Sequence, residues 1–255
     1  MLLPALVVLL AVSVTGWLLA RQADGAAARL AREQRTAQAL KQARDALIGF
    51  AANYRNAHHP DADFGYLPCP DLNGDGSAET CGTKDETSVG RLPYLTLGLP
   101  DLRDGNGECL WYAVSGSFKN NPKPDILNWD STGRFRILDE TGAPLALPGD
   151  QLGLAAAVIF APGAPLPEQS RSPGDGRCGG DLPASAIQHY LEAIRTRSGK
   201  GVIDVTTAIT AENNDRIAWI TGGDIYRQLK ANGAFARHIQ QVIAATAGCR
   251  SEEHT

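Results

Sequence analysis

The chain has 255 residues, 43% hydrophobic and 20% charged, which is enough to bury one substantial core and carry an appendage. A formal net charge of -4 argues against a nucleic-acid partner, which would call for a basic excess with basic patches. Met1 is its one methionine, so a Met-rich promiscuous groove is excluded.

The first element is the run "MLLPALVVLLAVSVTGWLLAR", with no charge between Leu2 and Ala20. Nineteen helical residues reach roughly 28 Å, close to the hydrocarbon thickness of a bilayer. Nothing basic precedes the run, which favours an anchor over a cleaved signal. Pro4 falls in the first turn, where a missing N–H is tolerated. We therefore expect a transmembrane helix over residues 1–21, with the membrane as the partner of residues 2–20. Arg21, Arg29, Arg32 and Arg35 follow the span, and by charge alone they would hold the body on the cytoplasmic side. Cysteine usage points the other way. Cys69, Cys81, Cys109, Cys178 and Cys249 all lie in Gly/Pro-rich surroundings typical of disulfides in an oxidising compartment. A basic leader ahead of the span would reconcile the two, and an exported body is expected.

Residues 22–59 continue the helical signal with Ala, Arg, Gln and Leu. Leu40, Leu47 and Tyr54 recur every seven residues, with Ala37, Ala43, Ile48 and Ala51 filling the same stripe, so this stalk should dock on something. Gly25 would loosen its junction with the span, and Pro60 would close it. Residues 60–255 form the body. There "LWYAVSGSF", "RFRILDE", "LAAAVIFAPG" and "GVIDVT" read as strands, with "STG" and "ETGAP" as turns. "SAIQHYLEAIRTR" and "GDIYRQLKANGAFARHIQQVIAATAG" read as helices, the second capped by Asp224. The expected fold class is α+β: a long N-terminal helix on a small antiparallel sheet, followed by a C-terminal helix.

A hydrophobic helix running straight into an amphipathic one, ahead of a loop-and-sheet body, resembles the type IV pilins and type II secretion pseudopilins. "ALIGFAANY", "LPCPDLNGDG", "RLPYLTLGLPDLRDGNGECLWYAVSGSF", "VIFAPG" and "NDRIAWIT" resemble a group of bacterial proteins with a prepilin-type N-terminal region. The likeness runs from the span to about Tyr226. It implies a structural subunit of an envelope secretion or pilus-type assembly, single-pass in the inner membrane, with a periplasmic body. Its helix would pack with other pilin-type subunits. The short basic leader ending in Gly and the Glu following the cleavage point, both usual in prepilins, are not found here.

The chemistry-bearing residues centre on "LPCPDLNGDGSAETC", Leu67 to Cys81. Asp71, Asn73, Asp75, Gly76 and Glu79 match the first half of a D-x-N-x-D-G calcium loop, whose alternate oxygens converge where Gly permits a sharp turn. The position for a bidentate Glu is Gly82, and no helix follows. A turn closed by Cys69 and Cys81 is the reading preferred over calcium, and no other cofactor is implied. Of Cys109, Cys178 and Cys249, two are expected to pair. His58, His59 and Asp61 read as a solvated helix end, "DLRDGNGE" as a solvated loop, and Trp111, Tyr112, Trp129 and Trp219 as core or edge residues. "GRCGGD" has Cys178 where a serine nucleophile would stand and no His–Asp pair beside it, so no enzyme is expected. The alternative function is a single-pass envelope binding protein using the possible calcium loop.

Overall fold

The computed structural model describes residues 2–54, 64–123, 127–128, 130–148, 152–171, 178, 184–194 and 199–252. Its first element, α1 (Leu2–Asn53), is a 52-residue helix that reaches about 78 Å at the ordinary rise and passes through Gly25 without a break. Its side chains are described from Gly25 onward, and among the described residues no helix is long and apolar enough to cross a membrane. Residues 25–35 are exposed. Beyond them Ala39, Leu40, Ala43, Leu47, Ile48 and Ala51 are buried on one face. That is the stripe read from the sequence, except that Ala37 is exposed and Thr36 and Ala39 take its place. Alanines on both sides of the contact, Ala43 and Ala51 on the helix and Ala157 and Ala161 on the strand beneath, let the helix approach the sheet closely.

Among the described residues the sheet has six strands: β1 (Ser88–Arg91), β2 (Trp111–Val114), β3 (Phe135–Leu138), β4 (Ala155–Ala161), β5 (Ile203–Thr206) and β6 (Arg216–Thr221). Strand β4 is central, antiparallel to β2, to β6 and, through Phe135 and Ala155, to β3. The sheet is mixed where an antiparallel one was expected, because β5 runs parallel to β3 with Phe135 opposite Ile203. Between β3 and β5 the chain makes β4 and a 3-10 helix (Ala184–His189), a connection long enough for the crossover that a parallel pair requires.

Alternation along β2 and β4 sends side chains to both faces, and both faces are covered. Tyr112, Val114, Ile159 and Ile220 meet α1, while Trp111, Ala113, Val158 and Phe160 meet Tyr190, Leu191 and Ile194. That is why β4 is buried along its whole length, and why its sequence is an unbroken apolar run.

Two helices follow where one was expected. Helix α2 (Gly222–Ala231) is capped by Thr221, whose Oγ1 accepts the Asp224 N–H while the Asp224 carboxylate accepts the Thr221 N–H. Asp224 is thus the third helical residue of a capping box, not the cap itself. Asn232 breaks the run in an extended conformation, its side-chain amide donating to the Ala52 carbonyl of α1 at 2.8 Å, before α3 (Gly233–Glu252) begins. Of the "SAIQHYLEAIRTR" segment, the described residues make the short 3-10 helix, after which Ile194 bridges to Val205, and residues 195–197 lie outside the described residues.

Candidate functional site

The Leu67–Cys81 loop is organised around Asp71, which is 2% exposed. Its backbone pairs with Arg91 at the end of β1, with N–H to oxygen distances of 3.0 and 2.9 Å, so the loop is pinned to the sheet edge. Its carboxylate accepts the N–H groups of Gly74 at 2.5 Å and Gly76 at 2.8 Å. Asn73 Oδ1 accepts the Asp75 N–H, Asp75 accepts the Ser77 N–H, and Glu79 accepts the Leu72 N–H. Gly74 and Gly76 have positive φ, 85° and 89°, and a Cβ on Gly76 would lie 2.6 Å from the Tyr94 ring.

Ligand atoms of Asp71, Asp75 and Glu79 lie within 4.8 Å of one another, with Asn73 beside them. Burial raises the pKa of Asp71 against the lowering effect of the two glycine N–H groups. Burial also raises Glu79, with the Asp71 and Asp75 charges adding to it. Asp75, almost fully solvated, is lowered chiefly by the Ser77 N–H. The carboxylates thus converge, but each already accepts a hydrogen bond that shapes the loop. Across its base Cys69 and Cys81 form a disulfide with a Cα separation of 5.8 Å, and both are fully buried. Lys119, also fully buried, donates to the carbonyls of Cys81 and Thr83 at 2.6 Å each.

A second disulfide joins Cys109 to Cys178. His58, His59, Asp61 and Trp129 lie outside the described residues. Trp111 and Tyr112 are core residues, and Trp219 is partly buried.

The "DLRDGNGE" segment corrects the solvated-loop reading. Asp104 is 1% exposed and accepts N–H groups from Asn106, Glu108 and Gly163. The Gly105 N–H donates to Thr36 Oγ1 of α1 at 2.9 Å, and a Cβ on Gly105 would lie 2.1 Å from the Arg32 carbonyl oxygen. This turn grips the helix just where its buried face begins. Within that face Arg44 donates to the Trp219 carbonyl and pairs with Asp224 at 2.7 Å.

Three further polar residues were not read from the sequence. Arg91 is 8% exposed and stands opposite Trp111 in the β1–β2 register, 5.9 Å from its ring. Arg171 pairs with Glu108 at 3.2 Å and lies over Tyr190. Asp215 accepts the N–H groups of Glu192 and Ala193 at 2.8 Å each, and burial raises it to about 8. Nothing local in "ENNDR" distinguishes this buried carboxyl from its solvated neighbours, since its partners come from a distant segment. Asp104 did carry a signal, the Asp-Gly-Asn-Gly run that favours side-chain-to-backbone turns. Compared with protein-family models, curated proteins and solved structures, the chain matches none of them.

Proposed function

We propose that the chain is a membrane-anchored, pseudopilin-like structural subunit of an envelope secretion or pilus-type assembly, held by residues 2–20 in the inner membrane with its body in the periplasm. The observation that carries this reading is the division of labour along α1. Residues 39–52 supply the face packed on the sheet, while residues 25–35 stand exposed and continue the same helix back to the uncharged run of residues 2–20. A helix that serves the body with one half leaves the other free for lipid and for neighbouring helices. The Gly105 turn and the Arg44–Asp224 pair support the reading, because they fix the angle at which the helix leaves the body.

The test is twofold. A reporter active only in the periplasm, fused after Thr255, is expected to be active, and cytoplasmic activity overturns the exported body. A photo-crosslinking residue at Leu30, which is 56% exposed, is expected to give ladders of adducts in membranes. A lone monomer instead favours the second reading, a single-pass envelope binding protein. That reading draws on the convergence of Asp71, Asp75 and Glu79, and a calcium-dependent rise in melting temperature is its signature.

A further inference from the structure

Strand β6 borders the sheet, paired with β4 on one side. Hydrogen-bond alternation decides which of its backbone groups face outward. The Ala156 carbonyl accepts the Ser115 N–H on the β2 side at 2.9 Å. The next residues of β4 alternate, so Ala157, Ile159 and Ala161 turn towards β6, where they stand opposite Ile220, Ala218 and Arg216. The N–H and C=O groups of Ile217 and Trp219 consequently point away from the sheet. Arg44 Nε, which reaches the Trp219 carbonyl at 2.8 Å, lies on that outer side and closes the edge there. Among the described residues, nothing bonds the Ile217 N–H and C=O or the Trp219 N–H.

A groove of about 760 Å³ runs between this edge and the exposed part of α1. Arg29 and Arg32 enter it from the helix and Arg216 from the strand, against Glu33. None of the three arginines is in an ion pair among the described residues. Asp104 and Asp215, also on the wall, are committed to backbone N–H groups, three for Asp104 and two for Asp215, and burial raises Asp215 to about 8. An open strand edge is a template for another chain, and a surplus of unpaired arginines selects the charge of that chain.

We propose that the groove receives an acidic polypeptide segment in extended conformation, added to the outer edge of β6 as a further strand and held by the Ile217 N–H and C=O and the Trp219 N–H, with Arg29, Arg32 and Arg216 reading its carboxylates. The proposal does not rest on the membrane-anchor reading. It is tested with the full chain in detergent and a fluorescein-labelled heptapeptide of alternating valine and glutamate, followed by fluorescence anisotropy. Saturable binding is expected, weakened at least tenfold in the Arg29→Glu/Arg32→Glu double variant, whose substitutions lie on the exposed helix face. The same peptide N-methylated at alternate amides keeps its charges but loses the strand donors, and is expected to bind at least tenfold more weakly. No saturable binding by the valine–glutamate peptide, equal binding by the N-methylated peptide, or equal binding by the double variant overturns the proposal. All three are read without reference to topology, so they remain distinct from failure of the anchor reading.

Discussion

At the scale of single residues, what matters is whether a buried polar group is committed to the fold. Asp71 is: both its oxygens hold loop N–H groups, and its backbone holds the sheet edge. Calcium is therefore expected to leave the melting curve unchanged, while Asp71→Ala lowers stability by roughly 1–3 kcal/mol as its buried N–H partners lose their acceptor. A melting-temperature rise with calcium that Asp75→Ala abolishes would show the carboxylates to be a metal site. Asp215 is committed differently. Burial raises it to about 8, Glu192 adds to the rise, and the Ala193 N–H and Arg171 oppose it. The folded chain thus keeps a proton that the unfolded chain releases near pH 4. Its stabilising contribution is complete below that pH and is lost as pH rises towards 8, at up to about 1.4 kcal/mol per pH unit. Asp215→Asn retains an acceptor for the two N–H groups, so its urea midpoint is expected to fall less than the parent's between pH 5 and 8; parallel profiles would contradict this.

At the scale of elements, the fold was legible where periodicity spoke and obscure where the partner was distant. Leu40, Leu47 and Tyr54 announced the buried face of α1, and four apolar runs announced β2 to β5. Strand β1 was missed because Ser88–Arg91 is short and ends in a charge whose partner ring lies across the sheet. The parallel β3–β5 pair was missed because strand direction is set by the crossover and not by local pattern. The split between α2 and α3 turns on Asn232, whose reason to leave the helix is a carbonyl 180 residues away. The same logic makes the Gly105 turn testable. A methyl group there meets the Arg32 carbonyl, so Gly105→Ala is expected to cost roughly 1–3 kcal/mol in chemical denaturation. Gly49, within α1 itself, would place its Cβ in open space, and Gly49→Ala is expected to gain roughly 0.5–1 kcal/mol. Equal effects at the two positions would mean that the turn does not grip the helix.

At the scale of the whole molecule, the two disulfides staple different things. Cys69–Cys81 closes a local turn across 12 residues, while Cys109–Cys178 spans 69 and ties the residues just ahead of β2 to a position between β4 and the 3-10 helix. On the chain-entropy model the first is worth about 3 kcal/mol and the second about 4 kcal/mol, since the cost of an open loop grows slowly with its length. Both are at home in an oxidising compartment and would be reduced in an ordinary cytosol. With four of the five cysteines paired, one thiol equivalent, that of Cys249, is expected from denatured envelope material. Material made in a reducing cytosol is expected to titrate five and to melt at a lower temperature, with oxidation restoring both values. Five thiols in envelope material, or an unchanged melting curve on reduction, would break the link between the staples and the exported body we propose.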